Sequence, residues 1–169
     1  MQKEAPYAIA IESRYPEQIA IAIARDSKGN YNPITIGWVM PTSIHPPMLA
    51  LSIGSDRWSA EAIRQAREFV LAYPSEMQAE AAKCFGSHSG RDTQKFATVH
   101  CETERARKVD SLILTDAVAN FECRLVTELK TGDHVIFVGE VLCSHTNANP
   151  ANRLFTLIRS QHMGGFRQN

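Results

Sequence analysis

Between Ser87 and Phe96 the chain sets Ser87, Ser89, Arg91, Asp92, Thr93 and Lys95 around the flexible Gly90. Hydroxyl donors and two cations on one bend are the groups that hold a bound anion such as a phosphate ester. A second stretch, "SIGSDRWSAEAI" (52–63), delivers Arg57 and Ser59 at the point where a strand gives way to a helix. A helix N-terminus offers unpaired N–H groups and partial positive charge, and arginine adds a planar fork that fits phosphate oxygens. A third, "NPITIGW" (32–38), carries Asn32, Thr35 and Trp38, with Gly37 permitting close approach of something flat to the backbone. A fourth, "TGDHVIF" (131–137), puts His134 directly after a turn, where an imidazole can meet a polar ring edge. Each stretch also has a plain structural reading. Trp38 can be a core residue, Ser59 a cap for its own helix, Arg57 a solvated cation, 89–95 a self-satisfied loop and His134 an exposed turn residue.

The elements that must position these groups follow from periodicity. "QIAIAIARD" (18–26) alternates isoleucine with alanine, the period of two of a strand, and "SKGNYNP" then turns the chain. "ITIGWVMP" (34–41) and "MLALSIG" (48–54) give two further strands, with Pro46-Pro47 between them. On the 34–41 strand Thr35 and Trp38 differ in parity and face opposite sides unless a bulge intervenes. Helices are expected from Ser59 as N-cap, and from Ser75 and Gln78 in capping-box spacing to Gly86 as the stop. "FVLAYP" between them gives a short strand. Asp92 is placed to cap a short turn ahead of Lys95, and to pair with Arg91 or Lys95. "NFECRLVTEL" and "HVIFVGEVLCSH" flank "KTGD", a hairpin signal. Strands dominate and come as neighbouring hairpins, which predicts a mostly β fold, a closed or partly closed antiparallel barrel with flanking helices, and disfavours a doubly wound parallel sheet.

The bulk numbers exclude several classes. At 169 residues, 44% hydrophobic and 21% charged, the chain is read as one globular domain over 1–169. Eighteen basic residues balance eighteen acidic ones, so nothing suggests nucleic acid or an anionic membrane as a partner. Met1 to Pro6 leads into no signal-like apolar core and no run approaches a membrane span, from which a cytoplasmic location is expected. Cys84, Cys101, Cys123 and Cys143 form no Cys-x-x-Cys pair and are read as free thiols, the last two inside strands. His45, His88, His100, His145 and His162 lack metal-ligand spacing, and no metal is expected. No dinucleotide-binding, P-loop, nucleophile-elbow or zinc-protease motif is present, and no carboxylate pair suggests a catalytic acid and base.

Taken in order, "NPITIGW", "PPMLALSIGSDRWS", "SGRDTQKF" and "NFECRLV…GDHVIFVGEV" resemble the flavin reductase-like, FMN-binding split-barrel family, above all its flavoredoxin branch, from about Ala20 to about Val141. The resemblance implies an antiparallel split barrel, a homodimer and non-covalently held FMN, ahead of FAD. Beside the resemblance, an apolar, exposed-looking Trp58 and the poor match of the tail from Ser144 onward go with the expected dimer. By position the resemblance assigns Asn32, Thr35 and Trp38 to the ring and ribityl segment, and Arg57 and Ser59 to the phosphate turn. It assigns Ser89, Arg91 and Lys95 to the bend completing the site, His134 to the ring edge, and Phe166 of "GGFR" to an aromatic beside the ring. The expected activity is an FMN-dependent oxidoreductase that takes a hydride from NADH or NADPH and passes electrons to free flavin or another acceptor. The alternatives are a flavoredoxin-type carrier reduced by a partner protein and a non-enzymatic flavin-binding module. No catalytic side chain is required.

Overall fold

The structure is a computed structural model, and it describes residues 1–149, 151–158 and 162–166. A short helix α1 (Tyr7–Ala10) leads to β1 (Glu17–Gln18), β2 (Ala20–Arg25), β3 (Tyr31–Ile36), β4 (Val39–Ser43) and β5 (Met48–Gly54). Helix α2 (Trp58–Ala66), β6 (Glu68–Tyr73) and α3 (Ala79–Ser87) follow. Two short strands, β7 (Thr103–Arg105) and β8 (Leu112–Leu114), precede the long pair β9 (Ala119–Thr131) and β10 (His134–Thr146). The described chain ends in β11 (Arg153–Ile158) and β12 (His162–Phe166).

The main sheet has the order β3-β2-β6-β9-β10-β5-β4, every neighbouring pair antiparallel. No ladder among the described residues joins β3 to β4 and closes the sheet, so the expected barrel is open. A smaller sheet, β1-β11-β12, and the β7-β8 pair complete the fold. No described helix is long and apolar enough to cross a membrane.

The alternation in β2 explains how both faces of the sheet are buried. Ala20, Ala22 and Ala24 join Ala60, Ile63, Phe69 and Phe137 in one cluster beneath α2. Ile19, Ile21 and Ile23 join Ala81, Ala82, Phe85 and Leu154 in a second beneath α3. Small side chains on one face let a helix approach closely, while isoleucine fills the other. Phe69, Phe85 and Phe137 have no exposed surface, a burial of roughly 1.5–3 kcal/mol each.

Several local readings change. The strand expected over 34–41 is two strands, broken at Gly37 and Trp38, where the chain bends and the Val39 N–H donates to Gly37 O at 3.1 Å. The parity separating Thr35 from Trp38 therefore does not carry through. Helix α2 begins at Trp58 with Arg57 at the cap position, so Ser59 lies inside the first turn and caps nothing. Gln78 accepts the Ser75 N–H at 3.2 Å in the expected capping box, but Gly86 is inside α3, which runs on to Ser87. Asp92 caps no turn: the short 3-10 helix at Lys95–Ala97 begins after Gln94, which makes no side-chain cap bond. All four cysteines are free, with Cys123 in β9 and Cys143 in β10. The β9–β10 loop is Gly132-Asp133, with Gly132 at φ 56°, a conformation in which a Cβ costs energy.

Candidate functional site

Where β3, the β5–α2 turn, the end of α3 and the 88–95 bend converge, they enclose a cleft of about 370 Å³. Thr35, Trp38, Arg57, Ser89, Arg91, Lys95 and His134 all line it, although they come from four separate stretches. Arg57 and Lys95 share this one cavity. The volume is in the range of roughly 300–1,000 Å³ typical of ligand pockets.

The break at Gly37 and Trp38 brings Thr35 and Trp38 to the same cavity. Thr35 does not aim its hydroxyl into it, however; Oγ1 donates to Ala82 O at 2.6 Å and ties β3 to α3. Trp38 stands 46% exposed at the rim, its ring 4.7 Å from that of His134. His134 is opposite Gly54 in the β10–β5 ladder, and its Nδ1 is 2.7 Å from Asp133 Oδ1. The Ser55 N–H donates to Asp133 O at 2.9 Å, which fixes the hairpin against the strand-to-helix turn.

Lys95 is the most constrained cation. It is 3% exposed, and its ammonium donates to Pro33 O at 2.7 Å and to Phe85 O at 2.9 Å. Burial pushes its pKa down to about 8, with Arg57 adding to the effect and Cys84 opposing it. Two of its three protons are committed to backbone carbonyls, so it can offer one more to a ligand in the cleft. Arg91 donates to Asp56 O at 3.1 Å, and its guanidinium lies 5.7 Å from the Trp58 ring centre. Asp92 has no ion pair among the described residues; the cations expected to compete for it are held by backbone carbonyls instead. Arg57 faces solvent, with Asp56 Oδ1 3.8 Å from Nε.

Asn32 and Ser59 do not line the cleft. They lie behind it, buried, with Asn32 Nδ2 donating to Ser59 Oγ at 2.7 Å. Asn32 Oδ1 is buried without a partner and abuts Gly90. A Cβ at position 90 would run into that oxygen and come within 2.9 Å of Trp58 Cδ1, so any side chain here forces Asn32 or Trp58 to shift. Phe166 belongs to β12, in the smaller sheet, and its side chain lies outside the described residues.

Sequence reasoning missed the floor of the cleft. Trp58 is half-buried and is not the exposed apolar residue that the sequence suggests. Its Nε1 donates to Asp26 Oδ2 at 3.0 Å, and Lys28 and Arg91 both approach its ring. Asp26 uses its other oxygen to accept the N–H groups of Lys28 and Asn30, shaping the β2–β3 turn. The "SKGNYNP" turn signal marks the turn, but no local signal links Asp26 to a tryptophan far along the chain.

The arrangement is a cleft whose lining combines cations and a helix N-terminus with an indole–imidazole pair, the indole at 46% exposure and the imidazole partly buried. Residues 13–163 match the model of the flavin reductase like domain. The NADH-dependent FMN reductase AsuE2 of Streptomyces nodosus subsp. asukaensis is 32% identical over 117 residues, 67% of this chain and 60% of that protein. The match thus spans less than two thirds of that relative's length. The flavoredoxin of Methanosarcina acetivorans superposes with a TM-score of 0.86 at 18% identity, over 100% of this chain and 93% of its own. The FMN-binding protein of Thermus thermophilus with bound p-hydroxybenzaldehyde gives 0.84 at 23% identity, over 100% and 96%. At those identities the two structures establish likeness of fold. With its family model matched over most of its length, the chain belongs to the flavin reductase-like family.

Proposed function

We infer that the cleft holds FMN and that the protein is an NAD(P)H-dependent, flavin reductase-like oxidoreductase. The observation that carries this reading is the convergence of Arg57, Arg91 and Lys95 with the α2 N-terminus on one cleft whose lining also includes Ile34, Ile36 and Trp38. A phosphate ester carries about −1.5 to −2 charge at neutral pH, which three cations and helix-end N–H groups compensate. An isoalloxazine ring needs an apolar slot with a few polar contacts at its edge, and the 300–1,000 Å³ range that suits such ligands includes this cavity. Supporting it are the family assignment and the NADH-dependent FMN reductase among the relatives.

FMN held here would supply the redox chemistry, with NADH or NADPH as the hydride source and free flavin or another acceptor as the electron sink. The chain's own residues bind and orient. Lys95, held by two carbonyls, fixes the position of the phosphate; Arg57 and Arg91 neutralise it from the solvent side. Trp58 forms the floor under the bend, and Asn32 with Ser59 braces it from behind. Trp38, exposed at 46% and packed against His134, is where a reductant or acceptor would meet the ring. No side chain need transfer a proton for hydride transfer to occur.

The test is anaerobic mixing of the FMN-loaded protein with NADH and with NADPH. Bleaching of the flavin absorbance by either is expected. Likeness of fold to a flavoredoxin supports a second reading, a carrier reduced by a partner protein. In that case neither nucleotide bleaches the flavin while dithionite does. A protein that takes up no flavin at all contradicts both readings.

A further inference from the structure

Away from the cleft, β9 and β10 bring together three side chains with the chemistry of metal ligands: Glu122, Cys143 and His145. Their ligand atoms all lie within 4.8 Å of one another. His145 Nε2 is 2.6 Å from Glu122 Oε1, and Cys143 Sγ is 3.6 Å from the same nitrogen. Glu122 is wholly buried, while His145 and Cys143 are each partly exposed, so the group opens to solvent on one side.

A register fault creates this cluster. Val141 faces Cys123 across the ladder, yet Cys143 faces Glu122, so Leu142 is an extra residue in β10. Without that bulge Leu142 would oppose Glu122, and Cys143 and His145 would be on the other side of the sheet from the carboxylate. Bulges re-aim side chains in this way. The loop before β8 supports the arrangement: the N–H groups of Arg107 and Lys108 donate to Glu122 Oε1 and Oε2 at 3.0 and 2.5 Å. Metal-bound carboxylates are commonly oriented by such outer hydrogen bonds.

We propose that Glu122, Cys143 and His145 form a binding site for a thiophilic divalent cation, zinc above all. Zinc–sulfur and zinc–nitrogen bonds of about 2.3 and 2.0 Å at a tetrahedral angle put sulfur and nitrogen about 3.5 Å apart, close to the 3.6 Å observed. The nitrogen and the carboxylate oxygen must part by roughly 0.7 Å, the metal taking the place of their direct hydrogen bond. Thiolate, imidazole and carboxylate together favour zinc over magnesium or calcium, and three protein ligands leave a fourth position for water. The sequence spacing concealed the site. Cys143-x-His145 supplies two ligands, and the third is on the partner strand. Cys143 is nine residues along β10 from His134, roughly 30 Å at strand rise, so this centre is separate from the cleft.

The test uses the full chain purified with a chelator and then desalted. Zinc is titrated against a chromophoric competitor, and cobalt is added for a difference spectrum. One zinc per chain is expected, with a cobalt–thiolate charge-transfer band in the near ultraviolet. Cys143→Ser and His145→Gln each weaken zinc binding by at least about 100-fold and Cys143→Ser removes the band, since even outer-shell losses cost 10–100-fold. Cys101→Ser leaves both unchanged, and Cys143→Ser leaves FMN affinity unchanged. The proposal is overturned if the wild-type chain binds no zinc at micromolar concentration or shows no thiolate band with cobalt. Zinc binding that persists undiminished in Cys143→Ser also overturns it. Absence of the band in the wild-type chain overturns the proposal whether or not a variant folds, and His145→Gln gives a second assignment of the band should Cys143→Ser fail to fold.

Discussion

In the cleft Lys95 is 3% exposed and its ammonium is held by Pro33 O and Phe85 O, and Asn32 and Ser59 are buried against each other just behind. Elsewhere on the lining, Trp38 is 46% exposed, with its ring 4.7 Å from that of His134. Lys95 is positioned by buried hydrogen bonds, whereas Trp38 is an exposed ring packed on an imidazole that Asp133 holds. Buried hydrogen bonds position a charged ligand with little reorganisation, whereas an open aromatic rim permits a second reactant to approach. Affinity should therefore reside at Lys95 and reactivity at Trp38.

The sharpest way to break that contrast is Lys95→Met. It removes a charged donor and orphans two carbonyls, so FMN binding should weaken by about 1–3 kcal/mol, read by quenching of flavin fluorescence. Gly90→Ala comes next. Its methyl meets Asn32 Oδ1 and Trp58, and thermal unfolding should report a loss of about 1–2 kcal/mol with weakened FMN binding. If neither changes, the bend does not pack as described.

A pH series sharpens the comparison further. Lys95 titrates at about 8 when folded, against an ordinary value of 10.5. Between those values the unfolded chain holds a proton that the folded chain has lost, so stability without ligand should rise with pH across that window. FMN affinity should fall over the same range, because the cation is lost as its dianionic partner persists. Kd measured at about pH 7 and about pH 9.5 should differ several-fold in the wild type and hardly at all in Lys95→Met. The smallest effect is expected from Trp38→Ala. Stability should shift by less than about 1 kcal/mol and FMN affinity less than in Lys95→Met, while the rate of NADH-driven bleaching changes.

How far residue order alone reaches is clear from particular positions. Alternation in β2, the glycine-bearing hairpin at 132–133 and the Ser75–Gln78 box are local signals, and the structure contains each. Thr35, Trp38, Arg57, Ser89, Arg91, Lys95 and His134, drawn from four local motifs, line one cavity. What escaped depends on tertiary partners. Ser59 looks like a cap from its neighbours but accepts from Asn32, 27 residues away. Thr35 and Trp38 share a wall because the strand breaks at Gly37, which strand parity does not encode. Trp58 looks exposed until Asp26 claims its indole N–H, and Cys143 meets Glu122 only through the extra residue in β10. At Ser59, Trp58 and Cys143 a contact from far along the chain overrides the local preference.

The central claim is that a phosphate is held by the cations of the cleft. Titrating the same protein with FMN and with riboflavin, which lacks the phosphate, tests it directly. The account predicts that riboflavin binds at least about tenfold more weakly, the effect of losing one or more charged hydrogen bonds, and that added salt erodes the difference. Equal affinity for the two flavins at low salt would contradict it.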